Sequence, residues 1–94
     1  MWIVQEATVR GKPLDVSCTL SDTCIRLDSI EFPCFWVEID TTTFESKGRF
    51  DEEWFTKAEE KIQKPQCHVD RDVAHSQIVV HDMNRLVDIR LGEM

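Results

Sequence analysis

Cysteine, histidine and aspartate come together at one point of this chain, where Cys67 and His68 are followed by Asp70. The three types could serve as nucleophile, base and orienting acid, because cysteine catalysis needs a thiolate that is hydrogen-bonded to an imidazole. Adjacent residues of an extended chain point to opposite sides, however, and a catalytic triad is recognised by its geometry rather than by proximity in sequence. We therefore interpret residues 66–73 as a polar, irregular loop, and we predict no catalytic residues and no enzyme activity.

Three histidines and Cys67 offer side chains of the kind that bind transition metals. If residues 74–81 form one strand, His75 and His81 lie about 20 Å apart along it and cannot share an ion. Cys67, His68 and His75 could meet only through a tight loop, and their spacing matches no zinc module. We therefore predict no metal and no cofactor. A metal-binding or thiol-dependent accessory domain that uses Cys67, His68 and His75 is the alternative function.

Basic side chains form a stripe along the predicted helix that could contact phosphate: Lys57, Lys61 and Lys64, preceded by Lys47 and Arg49. Four glutamates share that helix, so its net charge is small: Glu52, Glu53, Glu59 and Glu60. Nucleic-acid binding requires lysine and arginine concentrated on one surface. We interpret the stripe as solvated helix charge and expect no direct nucleic-acid partner.

Acidic residues are concentrated in one third of the chain. The 94 residues carry a net charge of −7, and residues 13–46 hold seven carboxylates against Arg26 alone, a net charge of −6. Such a balance speaks against a nucleic-acid backbone or an anionic membrane as partner, since both attract basic proteins. It favours a protein partner with a basic surface, which includes nucleic-acid-binding proteins and leaves nucleic-acid mimicry as a narrower possibility.

The alternation of the predicted fourth strand places Trp36, Glu38 and Asp40 in one outward row, and Asp28 lies on a neighbouring strand with the same orientation. Tryptophan is enriched at binding hot spots, and surrounding carboxylates steer a basic partner. These four residues are the predicted partner-binding site. In the alternative interpretation, Trp36 is buried beneath the N-terminal strand or the 66–73 loop.

The combination of small size, acidity and absent catalytic motifs is typical of binding proteins that act by occupying a partner's surface. Phage and mobile-element inhibitors of the anti-CRISPR or other anti-defence type have this character, as do immunity proteins. The association rests on general properties and not on a specific motif. A structural subunit of a larger assembly is a third possibility.

The elements that position these residues follow from hydrophobic periodicity. Strands are predicted over residues 1–10, 14–20, 24–30, 34–43, 74–81 and 86–91, and a helix over residues 51–64. Asp51 has the character of an N-cap, Phe50 and Phe55 have the spacing of a hydrophobic staple, and Pro65 ends the helix. The order ββββ-α-ββ predicts an α+β fold in which the helix packs on one face of an antiparallel sheet of about six strands. The length predicts a single domain, 1–94.

The start of the chain lacks the basic and apolar regions of a signal peptide, which favours a cytoplasmic protein with reduced cysteines and no membrane contact. Strand parity places Cys18 towards the core and Cys24 outward. The two therefore cannot pair as a disulfide.

Overall fold

The computed structural model describes residues 1–30, 36–62 and 66–94, and for Trp36 it describes the backbone alone. The described ranges contain eight strands: β1 (Trp2–Val9), β2 (Lys12–Pro13), β3 (Ser17–Leu20), β4 (Cys24–Asp28), β5 (Trp36–Asp40), β6 (Cys67–Val69), β7 (Gln77–Asp82) and β8 (Val87–Glu93). Two helices lie between β5 and β6: α1 (Thr42–Lys47) and α2 (Glu52–Lys61). Neither helix is long and apolar enough to cross a membrane.

The strands form two antiparallel sheets, with orders β2-β1-β8-β7-β6 and β3-β4-β5. The predicted α+β class and antiparallel pairing are confirmed, but the prediction of one six-stranded sheet is wrong. In the larger sheet, β1 pairs with β8 from Trp2↔Glu93 to Val9↔Val87. This pairing brings the two ends of the chain side by side. Period-2 alternation identifies which face of a strand is buried, but it does not identify the strand's partner. For this reason the sequence did not reveal the division into two sheets.

The apolar faces of both sheets share one core with the segment that leads into α2. The smaller sheet contributes Ile25, Leu27, Val37 and Ile39, as its alternation predicted. The larger sheet contributes Val69, Ile78, Val80, Val87, Ile89 and Leu91. Phe50 and Phe55 are fully buried, and their rings lie 6.5 Å apart within an aromatic cluster that also includes Trp54.

Helix α2 begins as predicted, because the Asp51 side chain accepts a hydrogen bond of 2.9 Å from the amide of Trp54. Its last residue is Lys61, three short of the predicted end, and Ile62 already has an extended conformation. A proline at 65 has no N–H to donate to the Lys61 carbonyl, and its ring would clash with that oxygen in a continued helix. The predicted last turn, residues 63–64, lies outside the described residues.

Five local predictions differ from the structure. The threonines that were expected to be extended begin α1, because Asp40 accepts from the Thr42 amide at 2.9 Å and Gly48, at φ 73°, terminates the helix. The 66–73 segment was expected to be irregular, but it contains β6, which pairs with β7. The predicted strand 14–20 is shortened to β3. Those at 74–81 and 86–91 shift towards the C-terminus, becoming β7 and β8.

The inward and outward assignments of two cysteines are confirmed. Cys18 pairs with Leu27 and shares the core face of the smaller sheet, whereas Cys24 pairs with Asp40 on the opposite face. Both are thiols. Burial raises the pKa of Cys18, although the Val4 amide that donates to its sulfur opposes this effect. Cys34 lies outside the described residues.

Candidate functional site

The outer face of the three-stranded sheet carries three of the four residues predicted to bind a partner. In the β4–β5 register, Asp28 is opposite Trp36, Arg26 is opposite Glu38 and Cys24 is opposite Asp40. Because residues directly opposite each other in an antiparallel pair project to the same face, Asp28, Glu38 and Asp40 are grouped around Arg26. We call these four residues the acidic face. Trp36 belongs to this register through its backbone, but its side chain lies outside the described residues, so its role as an anchor stays a prediction.

This face is open to solvent along the strand that borders it. On β3, Ser17 lies opposite Asp28 and Thr19 opposite Arg26, and both β3 residues are exposed. Arg26 and Glu38 are exposed as well. A small polar surface with little side-chain bulk therefore flanks the carboxylates, and a partner can approach them without displacing any large side chain of β3.

The three carboxylates of the acidic face differ in their local partners. Asp40 accepts from the Thr42 amide at 2.9 Å and from the Thr42 hydroxyl at 2.7 Å, and Lys61 lies 3.6 Å away. The Thr42 amide is the main cause that lowers the pKa of Asp40, and the Thr42 hydroxyl and Lys61 add to it. Asp40 therefore acts first as a structural residue that holds the start of α1.

Asp28 and Glu38 are more available to a partner than Asp40. The Asp28 carboxylate lies 3.5 Å from Nε of Arg26, with both side chains about half exposed. Exposed ion pairs of this kind contribute little to stability and can exchange partners. Glu38 forms no ion pair within the described part of the chain. These two residues make up the part of the acidic face that can contribute charge to an interface.

A groove of about 230 Å³ lies beside the acidic face, between β5 and α2. Its apolar lining includes Ile39, Ala58 and Ile62. Its charged lining consists of Glu38, Asp40, Lys57 and Lys61. The indole of Trp54 donates a 2.9 Å hydrogen bond to the carbonyl of Asp40, which ties α2 to the edge of β5. The groove therefore has a fixed wall at the Asp40 end.

The outer face of the five-stranded sheet carries a histidine cluster that sequence reasoning missed. His81 Nδ1 is hydrogen-bonded to Asp88, and His81 Nε2 lies 3.3 Å from Asp70. The ring of His68 lies 5.0 Å from that of His81. Burial lowers the pKa of His81, but the hydrogen bonds and charges of Asp88 and Asp70 outweigh it and raise the pKa above its ordinary value. With both ring nitrogens occupied by carboxylates, His81 is poorly placed to act as a base.

Part of this cluster could have been found from the sequence. The strands predicted at 74–81 and 86–91 form a hairpin that brings His81 near the start of the second strand. Those bounds would pair His81 with Leu86, whereas in the structure the turn lies at 83–86 and His81 is opposite Asp88. The contribution of Asp70 could not have been found, because it follows β6, a strand that the sequence did not reveal.

The alternative site residues are not brought together. Cys67 is buried, and the adjacent His68 projects to the opposite, exposed face of the sheet. The ring of His75 packs against Phe55 at 6.1 Å, near α2. In residues 1–30, 36–62 and 66–94, no group of three or more histidine, cysteine, aspartate or glutamate side chains is arranged to hold a metal ion.

No protein-family model matches this sequence, and no curated protein or solved structure matches it significantly. The geometry of the chain itself is therefore the basis for the functional proposal.

Proposed function

We propose that this protein is a small binding module that occupies a basic surface of another protein through the acidic face. One observation carries the proposal: β4 and β5 turn Asp28 and Glu38 outward together on an open sheet face, next to Asp40. Arg26 is the one basic residue in this part of the chain, and the surrounding acid exceeds it. An opposing basic surface would relieve the repulsion among these carboxylates.

The type of partner that fits is a protein with clustered lysine and arginine, such as the basic groove of a nucleic-acid-binding protein. An acidic protein that covers such a groove prevents its normal ligand from binding, because potentials of opposite sign attract and the site is then filled. This is how an inhibitor of the anti-CRISPR, other anti-defence or immunity type would act, and it would act in the cytoplasm. The support for this class is the acidic charge and small size of the chain.

The alternative of a metal-binding or thiol-dependent domain has no comparable support. Cys67 is directed into the core, His68 to the outer face of the larger sheet, and His75 against Phe55. No observation favours a joint role for these three residues.

The test compares the proteins captured by wild type with those captured by a charge-reversed variant, using quantitative mass spectrometry of the native cytoplasm. The variant carries Asp28→Lys and Glu38→Lys, and Asp40 is left intact because it holds the start of α1. The control carries Glu60→Lys and Asp72→Lys, two exposed positions outside the acidic face that produce the same change in net charge. We expect wild type and the control to capture one partner in similar amounts. The charge-reversed variant should capture at least tenfold less of that partner.

If the charge-reversed variant and the control both capture less of the partner, by the same factor, then overall charge and not the acidic face determines binding. Equal capture by all three folded proteins would refute the proposal and direct attention to another surface. Circular dichroism establishes that each protein is folded.

A further inference from the structure

We propose that the partner binds by strand addition: an extended segment with alternating basic and apolar side chains pairs with the open edge of β5 at Glu38. This inference rests on the proposed function and specifies how the partner is held. It assigns a role to the backbone of β5, whereas the proposed function concerns the side chains of the acidic face.

The N–H and C=O groups of alternate residues of β5 point away from β4, which is its one neighbour among the strands of the described residues. The Thr41 amide donates to the carbonyl of Thr23 at 2.7 Å, on the β4 side, and the Asp40 carbonyl accepts from Trp54 on the opposite side. Successive residues in an antiparallel strand alternate in this way, so the N–H and C=O of Glu38 also point away from β4. Within the described residues, neither group has a backbone partner. Glu38 thus presents one donor and one acceptor on the side of β5 away from β4, where Trp54 contacts the strand at Asp40 but no described backbone group pairs with Glu38.

The groove next to this edge selects the inward side chains of an added strand. Residues on either side of the one opposite Glu38 would point towards the interior, where Ile39, Ala58 and Ile62 line the groove of about 230 Å³. Valine or another compact apolar side chain suits this lining, because its burial removes apolar surface from water.

Charge selects the outward side chains of the added strand. The residue of the added strand directly opposite Glu38 would project to the same face and lie close to the Glu38 carboxylate. Asp28 projects to that face from β4, on the other side of β5. A lysine or arginine there forms a cross-strand ion pair, whereas an acidic residue is repelled, since like charges directly opposite each other are destabilising. The segment that fits therefore alternates basic and apolar residues.

A charged edge strand also has a protective role in many sheets, because charge discourages unwanted pairing with other chains. The two roles make opposite predictions for a basic strand. A purely protective Glu38 would not hold an alternating lysine–valine peptide at its backbone, while the proposed site would.

The experiment titrates the full-length protein with the peptide acetyl-KVKVK-amide and follows backbone amides by NMR. Two comparison peptides are acetyl-KKKVV-amide, which has the same composition without alternation, and acetyl-EVEVE-amide, which reverses the charge. We expect the alternating basic peptide to bind at least tenfold more tightly than either, and hydrogen exchange at the Glu38 amide to slow. Methylating the amide of the central lysine should weaken binding about tenfold, because it removes one backbone hydrogen bond and adds a clash.

Two variants separate the backbone from the side chain. Glu38→Thr removes the carboxylate and keeps the edge amide, whereas Glu38→Pro removes both and is tolerated at an edge position whose N–H does not pair with β4. We expect Glu38→Pro to bind the alternating peptide about tenfold more weakly than Glu38→Thr. The methylated peptide provides the same comparison on the wild-type protein if Glu38→Pro does not fold.

The outcomes distinguish this inference from the proposed function. If Glu38→Pro and Glu38→Thr bind alike and methylation has no effect, strand addition is wrong, while the acidic face can still bind through its side chains. If the alternating peptide binds no better than the same-composition or acidic peptide, or does not bind at all, strand addition is also overturned. Capture of the native partner by wild type, but not by the charge-reversed variant, would then leave the proposed function standing alone.

Discussion

His81 shows how two carboxylates change the behaviour of a single residue. Asp88 and Asp70 hold its two ring nitrogens and raise its pKa, despite the opposing effect of burial. A histidine whose pKa is raised on folding binds protons more tightly in the folded state. Its contribution to stability is complete below the pKa of the unfolded chain, and it is lost as pH rises through the higher pKa of the folded state.

We therefore predict that Asp88→Asn lowers the pKa of His81 towards its ordinary value of 6.5. The variant should destabilise the protein most at a pH below the ordinary histidine value of 6.5, and progressively less as pH rises through the raised pKa of His81 in the folded state. NMR titration of the histidine ring gives the pKa, and urea unfolding at several pH values gives the stability. Asp15→Asn, at an exposed position, is the matched control. An unchanged His81 pKa in Asp88→Asn would contradict the role assigned to Asp88.

At the scale of elements, α2 depends on one capping residue and on the aromatic side chains at its start. Asp51 accepts from the Trp54 amide at the N-terminus, where negative charge also interacts favourably with the helix dipole. Phe55, one residue further along, is fully buried in the aromatic cluster. The cap directs where the helix begins, and the buried ring attaches it to the core.

Replacing these residues should separate the two contributions. Phe55→Ala should cost about 3–5 kcal/mol, because it leaves a cavity where a large side chain was fully buried. Asp51→Ala should cost less, and Asp51→Asn should restore most of the loss, since asparagine is also a good N-cap. Denaturant unfolding monitored by circular dichroism measures all three, with Glu60→Ala as an exposed control on the same helix. Equal, small losses for Phe55→Ala and Glu60→Ala would contradict the assigned packing.

The elements also show where local sequence signals compete. Thr41 to Thr43 have the β-branched character of a strand, yet α1 begins at Thr42, because Asp40 caps its amide and the left-handed Gly48 provides an end five residues beyond Thr43. Neither the Asp40 cap nor the left-handed Gly48 is sufficient alone. The sharp turn from β5 into α1 depends on both, together with the contact between Trp54 and the end of β5.

At the scale of the whole molecule, uneven charge predicts how a complex would form. Oppositely charged surfaces mainly accelerate association, and salt screens this attraction over about 8–10 Å at physiological ionic strength. We predict that the association rate with the captured partner falls as sodium chloride rises from about 0.05 to 0.5 M, while the dissociation rate changes less. Stopped-flow or surface binding kinetics measure both. A similar salt dependence for wild type and the Asp28→Lys, Glu38→Lys variant would place the interaction elsewhere on the protein.

The sequence by itself determined the α+β class, the N-terminus of α2, and the faces on which Asp28, Glu38 and Cys18 lie, because each follows from local periodicity or capping. The tertiary structure decided what lies next to those residues. The pairing of β1 with β8 joins residues from opposite ends of the chain, from Trp2↔Glu93 to Val9↔Val87, and β6 is a strand through its pairing with β7. The His81 cluster and the groove at β5 depend on such long-range contacts, whose partners a single sequence does not specify, since many strand pairings bury the same apolar faces.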